Sequence, residues 1–186
     1  HLVKEGGQQH SKNYLTLNPA HLVPTFVDDD EDIILNQSLA IIEYLDECHP
    51  TPALLPAGAQ ARANVRAAAY QLAMDIQPLN NLRVLQYLEK TAGFTPKQKQ
   101  NWYQHWIHQG FRALEATLQQ EQQQGDYCFG DSITLADVCL IPQVYNAQRF
   151  SCDLSGYPRI AAINSVCTQR ADFLLAAPEQ QPDAPH

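Results

Sequence analysis

Three short runs combine residue types and spacing that can do chemistry. Asn36-Gln37-Ser38 stands where an apolar-periodic segment begins. Polar residues there either cap a helix or, with the free amides, the helix dipole and the Ser38 hydroxyl, form a site for a carboxylate. Val23-Pro24 precedes an apolar run. A proline in that place either marks an edge strand or makes a cis turn that presents the Val23 backbone to a ligand. The residues themselves leave both pairs of alternatives open. Thr134-Leu135-Ala136-Asp137 has the spacing of a capping box: Asp137 can accept from the Thr134 amide, and Ile133 and Val138 occupy the positions of a hydrophobic staple. That box is structural, because a buried helix cannot offer its first amides to water. His105 and His108 share a helical face at i,i+3, but no acidic or cysteine partner follows nearby, so the pair reads as a solvated face and no metal site is assigned. HExxH, GxSxG, P-loop and GxGxxG runs do not occur.

The elements that must position these residues fall into two parts. Up to residue 48 the pattern is mixed α/β. Val23 to Val27 and Ile33 to Leu35 read as two strands of an antiparallel hairpin, joined by the acidic turn Asp28-Asp29-Asp30-Glu31-Asp32. Gln37 to Leu45 reads as a helix, with Leu39, Ile42 and Leu45 recurring at helical spacing. Residues 49–60 are dense in proline and read as a linker. Residues 61–175 read as all-helical: one long helix over Ala61–Leu88 bent at Pro78, a second with Tyr103, Ile107, Phe111, Leu114 and Leu118 on one face, a central buried helix over Leu135–Ile141, and a further one through Ile160, Ile163 and Val166. The glutamine run Gln119–Gln124 reads as a helix end or loop, and 176–186 as a loose tail.

The bulk properties narrow the function. The chain has 186 residues, 45% hydrophobic and 17% charged, which suffices for one large or two small globular domains. The net charge of -8 without a basic stripe argues against nucleic-acid and anionic-membrane partners. The five cysteines are odd in number and lack a CxxC spacing, so reduced thiols in a cytoplasmic protein are expected rather than a disulfide framework or zinc ribbon. No apolar run approaches the roughly 18 residues of a membrane span, and no segment reads as a signal peptide.

Order and spacing together resemble the glutathione transferase family: a strand starting at Val-Pro, a hairpin, Gln-Ser at a helix start, a proline-rich connection, then a helical domain with the Thr-x-x-Asp box. The runs Lys4-Glu5-Gly6-Gly7-Gln8-Gln9, Gln37 to Leu45, Ile76-Gln77-Pro78-Leu79-Asn80-Asn81-Leu82 and Asn146-Ala147-Gln148-Arg149-Phe150 resemble its zeta class. The resemblance implies an α/β thioredoxin-like domain over 1–48, incomplete here, and an all-α C-terminal domain. It implies a homodimer and glutathione as cofactor. Gln37 and Ser38 would hold the γ-glutamyl end of the peptide, the Val23 backbone before a cis Pro24 its cysteinyl part, and Gln9 would lie near the glycyl end. Gln77 and Asn81-Leu82-Arg83 would approach from the helical domain or the partner subunit. Arg149 would bind a carboxylate of an unsaturated dicarboxylate substrate, a task for which a planar, permanently charged two-point donor is suited.

The activity implied is glutathione-dependent cis–trans isomerisation of maleylacetoacetate to fumarylacetoacetate, in phenylalanine and tyrosine catabolism. Maleylpyruvate isomerase, a general conjugating transferase, and a non-catalytic module binding glutathione or a protein are the alternatives. The Ser-Ser-Cys signature of the zeta class is absent. The resemblance places it before His1, with a first strand and first helix of about 30 residues, so the catalytic serine is expected there and the full polypeptide is expected to be longer.

Overall fold

The computed structural model describes residues 2, 6–121, 125–182 and 184. Residues 1 and 3–5, with Lys4 and Glu5 among them, the end of the glutamine run at 122–124, and 183, 185 and 186 of the tail lie outside the described residues. The chain divides into two compact units, His1–Ala53 and Leu54–His186.

In the first unit a short helix, α1 (Lys12–Leu17), precedes strands β1 (Thr25–Asp28) and β2 (Ile33–Asn36) and helix α2 (Ser38–Cys48). The strands pair antiparallel, with Thr25 opposite Asn36 and Asp28 opposite Ile33. β1 begins two residues later than the sequence pattern suggests, because Val23 and Pro24 lie outside the ladder. The acidic turn closes through Asp28 Oδ1, which accepts from the amides of Asp30 (3.2 Å) and Glu31 (3.4 Å). On α2 it is Ile41 that is buried, while Leu39, Ile42 and Leu45 are less so. Phe26 of β1 meets Tyr44 of α2 at 6.0 Å between ring centroids. Periodicity does not reveal α1. It has only six residues, and its start is fixed by the Ser11 hydroxyl accepting from the Tyr14 amide at 3.3 Å.

The second unit is helical: α3 (Ala59–Tyr70), α4 (Leu82–Lys90), α5 (Pro96–Gln120), α6 (Leu135–Arg149), α7 (Pro158–Cys167) and α8 (Ala171–Ala176). The connector is shorter than 49–60. Leu55 is buried, and the Leu54 carbonyl accepts from the Leu135 amide at 3.0 Å, so both belong to this unit. The single bent helix expected over 61–88 is also corrected. After α3 the chain widens into a π-helical turn (Gln71–Ile76), tightens into a 3₁₀ turn (Gln77–Asn80) and leaves the helical conformation at Asn81. Pro78 lies in the first turn of the 3₁₀ segment, where its missing amide costs nothing. Asn81, with ψ 147°, then caps α4 by accepting from the Arg83 amide at 3.1 Å. Contacts with α5 hold this break. Trp102 Nε1 donates to the Leu79 carbonyl at 2.8 Å. Ile76 lies so close to Gly110 that a Cβ there would come within 2.2 Å of Ile76 Cδ1. A glycine inside a helix costs about 1 kcal/mol relative to alanine, and here it admits the neighbouring turn.

The core matches the periodicity of α5: Tyr103, Ile107, Phe111, Leu114 and Leu118 are all buried, as are Val65 and Leu72, Leu140 and Val144 of α6, and Ile160 and Ile163 of α7. His108 departs from the expectation of a solvated face. It is half-buried, and its Nδ1 is 2.9 Å from the Tyr157 hydroxyl. The five cysteines are free thiols. Burial pushes those of Cys139 and Cys167 up to about 12. The tail is less loose than its composition implies: Pro178–Gln180 form a 3₁₀ turn, and the Gln181 side-chain amide donates to the carbonyls of Leu175 and Ala177. Among the described residues no helix is long and apolar enough to cross a membrane.

Asp137, at the start of α6, is wholly buried. Its carboxylate accepts from the Cys128 amide, the Thr134 amide and the Thr134 hydroxyl, each at 2.8 Å. Asp137→Ala strands three buried donors, each costing about 1 kcal/mol or more. The substitution should lower the stability of the helical unit by about 3 kcal/mol. Urea denaturation followed by far-UV circular dichroism measures this, and a midpoint equal to the wild type's would contradict it.

Candidate functional site

The two ends of the hairpin differ in chemistry. At one end the acidic turn faces solvent. At the other, the pairing of Thr25 with Asn36 brings the segments that carry Val23-Pro24 and Gln37-Ser38 side by side. The Val23–Pro24 peptide bond is cis. Val23 is 51% exposed, and among the described residues nothing hydrogen-bonds to its backbone. Gln37 has φ 77°, the left-handed region that side chains rarely adopt, and from there the chain turns into α2. Gln37 and Ser38 are exposed, and neither side chain has a partner among the described residues. The first helical bond runs from the Ile41 amide to the Gln37 carbonyl at 3.0 Å, so the amides of Ser38, Leu39 and Ala40 precede it. Free amides, a positive helix end, a hydroxyl and a carboxamide in one place make a receptor for a carboxylate with polar neighbours.

A closed network of side chains holds these free groups in place, and of its members only Asn36 stands in a run that the sequence singles out for its chemistry. The Thr25 hydroxyl donates to Asn36 Oδ1 at 2.8 Å, and Asn36 Nδ2 donates to the Leu17 carbonyl at 3.2 Å. The Tyr14 hydroxyl donates to the Leu22 carbonyl at 2.6 Å and lies 2.8 Å from the Thr25 hydroxyl. Asn18 Nδ2 donates to the same Leu22 carbonyl at 2.7 Å. The residue preceding Val23 is thus tied to α1 and β1, while Val23 itself stays unpaired.

Gln9 is buried. Its position depends on Gly6 and Gly7, at φ 83° and 92°, which only glycine adopts without strain; a Cβ on Gly7 would come within 2.6 Å of Gln9 Nε2. Gln9 Nε2 donates to the Leu2 carbonyl at 3.1 Å, and its Oε1 has no partner among the described residues. Next to it the Nδ1 atoms of His10 and His21 lie 3.0 Å apart, so one ring donates and the other accepts. Eleven positions separate the two histidines, and no local pattern signals that they meet.

The remaining predicted residues lie in the second unit. Gln77 is exposed at the junction of the π and 3₁₀ turns, and its amide reaches back to the Leu72 carbonyl. Asn81 uses its side-chain oxygen as the α4 cap; Leu82 is half-buried and Arg83 exposed. Arg149 closes α6 and is exposed. Among the described residues its guanidinium has no hydrogen bond or ion pair, and it lies over the Tyr145 ring, 5.8 Å from the centroid. A cation at a helix C-terminus without an internal partner is open to an anionic ligand.

Residues 1–53 match the family model described as glutathione S-transferase, N-terminal domain, and residues 100–163 the model of the C-terminal domain. A probable maleylacetoacetate isomerase of Vibrio cholerae is 48% identical over 99% of this chain and 84% of its own length. Among solved structures, the holo form of a bacterial maleylpyruvate isomerase of the zeta class superposes with a TM-score of 0.95 at 46% identity, covering 100% of this chain and 85% of that one. A maleylacetoacetate isomerase from Methylobacterium extorquens AM1, solved with bound malonate and glutathione, superposes with a TM-score of 0.89 at 32% identity, covering 97% of this chain and 84% of that one.

Asn36→Ala removes two bonds of the network beneath the free groups. It should destabilise the first unit by about 1–2 kcal/mol. Amide hydrogen exchange should quicken in α1, β1 and β2 and stay as in the wild type in α5 to α7; unchanged exchange in the hairpin would count against the network.

Proposed function

The chain belongs to the glutathione S-transferase family, in its zeta class, with a thioredoxin-like N-terminal unit and an all-α C-terminal one, and from this premise we propose that it isomerises maleylacetoacetate to fumarylacetoacetate with glutathione as cofactor. The observation that carries this reading is the meeting, at one end of the hairpin, of the unpaired Val23 backbone with the unpartnered Gln37 and Ser38 at the start of α2. These groups fit a γ-glutamyl tripeptide. The free amides of α2 and the Ser38 hydroxyl suit its γ-glutamyl carboxylate, the Gln37 carboxamide its amine, and the Val23 backbone can pair with its cysteinyl unit as one strand with another. Gln9, with an unpaired Oε1, is assigned to the glycyl end. Gln77 and Asn81-Leu82-Arg83 are assigned to the same ligand from the helical unit or a partner subunit.

When bound, glutathione supplies a thiolate whose reversible addition to the conjugated carbon turns the double bond single, so that rotation and elimination give the trans acid. The residues named here bind and orient. Arg149 fixes a carboxylate of the acid, so that the carbons undergoing rotation have a fixed frame on one side. No residue of this chain is assigned to stabilising the thiolate. The same reading assigns the protein to the cytoplasm, as a homodimer, in phenylalanine and tyrosine catabolism. Maleylpyruvate is the second reading. It is favoured by the TM-score of 0.95 to a maleylpyruvate isomerase, and a coupled absorbance assay offering each acid in turn decides between them.

Two substitutions test the assignments. Ser38→Ala removes a hydroxyl without an internal partner, so stability should change by less than about 0.5 kcal/mol. Glutathione affinity should fall about tenfold, equivalent to about 1.4 kcal/mol; calorimetric titration that finds wild-type affinity refutes the role of Ser38. Arg149→Ala should raise KM for the acid substrate at least about tenfold, the worth of one charged hydrogen bond, while KM for glutathione holds. Steady-state kinetics with each substrate varied in turn gives both values, and an unmoved KM for the acid removes Arg149 from the site.

A further inference from the structure

Arg149 is not isolated. One turn before it on α6, Tyr145 lies under the guanidinium, with Arg149 Cζ 5.8 Å from the ring centroid. The Tyr145 hydroxyl donates to Glu179 Oε1 at 2.6 Å, across 34 positions of sequence. Glu179 belongs to the 3₁₀ turn Pro178–Gln180, which the Gln181 bonds to Leu175 and Ala177 hold against the end of α8. The tail thus places a carboxylate on the aromatic ring that carries the arginine. Electrostatics agree with the geometry. The Glu179 carboxyl is held below its ordinary range, first by the Tyr145 hydroxyl and also by the Arg149 charge. The Tyr145 hydroxyl is pushed up, first by its bond to Glu179. Glu179 forms no direct ion pair with Arg149 among the described residues, so the guanidinium donors stay free while a negative charge stands nearby.

We propose that Tyr145 and Glu179 tune Arg149 as a carboxylate receptor: the Tyr145 ring aims the guanidinium, and the Glu179 charge, fixed at the Tyr145 hydroxyl, opposes the incoming anion in proportion to its charge. This rests on the reading of Arg149 as the substrate-carboxylate residue. Tyr145 is a positioning residue, and Glu179 limits the hold of Arg149 on any anionic acid, the dicarboxylate substrate included, while staying nearly indifferent to neutral ligands. Both act through charge and aim rather than through the fold, because Glu179 and Tyr145 meet at the surface and bury no core.

The substitution Glu179→Gln isolates the charge, since its carboxamide oxygen still accepts from the Tyr145 hydroxyl. Malonate, titrated calorimetrically into the glutathione-saturated protein at low ionic strength, serves as the dicarboxylate probe. Glu179→Gln should tighten malonate binding about threefold and Glu179→Lys about tenfold. Both gains should shrink at high salt, where exposed charges are screened within a few ångströms. Tyr145→Leu should weaken malonate about threefold. A merely structural role would make every variant bind less tightly and would not produce a rise ordered by charge. Equal affinities for the wild type and both Glu179 variants, gains that survive high salt, or malonate that fails to bind at all overturn the proposal. The isomerase assay run beside it judges the functional reading separately: absent turnover with the malonate series as expected overturns the reading alone, and turnover with a flat malonate series overturns the proposal alone.

Discussion

The buried carboxylate of Asp137 is the constraint on which the helical unit depends. A charge with no access to water must find donors within the protein, and its donors here come from two directions: Cys128 before α6 and Thr134 at its first turn. The ion therefore fixes the start of α6 against the chain that leads into it. Glu115 does the same for α7 from a distance. It is buried on α5, and it accepts from the amides of Arg159 (2.9 Å) and Ile160 (3.0 Å) at the start of α7. Each carboxylate sits at a positive helix end, so α5, α6 and α7 are joined by charge as well as by apolar packing. The consequence reaches Arg149. It lies about three turns beyond Asp137, or about 18 Å along the helix at the standard rise, with Pro142 inside the helix between them, so the fixed start of α6 bears on where its last side chain projects.

The first unit shows the opposite use of polar groups. Asn36 and Gln37 are neighbours, yet the Asn36 carboxamide is engaged on both sides while that of Gln37 has no partner among the described residues. The same contrast separates Leu22, whose carbonyl accepts from Tyr14 and Asn18, from Val23, whose backbone accepts and donates nothing among the described residues. The engaged residues lie beneath and the unengaged ones at the end of the hairpin. Rigid support under unsatisfied groups is what preorganisation means physically. The ordering entropy is already lost in folding, so less of the binding energy is consumed when a ligand arrives.

What could be read from the sequence follows from the range of the interactions. The apolar face of α5, the hairpin, the helix after Gln37 and the Asp137–Thr134 contact depend on residues within a few positions of one another, and their periodicity or spacing reveals them. The break after α3 does not follow from Pro78 alone. It depends on Gly110, far along the chain on α5, making room for Ile76, and a proline in a helical pattern reads equally well as a bend. The His10–His21 contact and the Tyr145–Glu179 bond likewise join distant residues without a repeating pattern. At the candidate site the free groups could be named from sequence through the family resemblance, whereas the network that holds them, apart from Asn36, could not.

The division between general and particular recognition follows from the same chemistry. A backbone strand edge and a helix N-terminus recognise features common to any γ-glutamyl peptide, so on the proposed reading Val23, Gln37 and Ser38 supply binding but little choice among second substrates. A guanidinium is also general, because every carboxylate offers it the same two oxygens. Choice between acids that differ in length or charge must then come from what surrounds the guanidinium and makes one ligand worse, since specificity is a difference of affinities. In this chain those surroundings are an aromatic ring in contact with the arginine and a carboxylate bonded to that ring. On the proposed reading, the strength with which an acid is held is therefore set at the end of α6 and the turn at Pro178, and the end of the hairpin at Val23 and Gln37 can remain the same whichever acid is turned over.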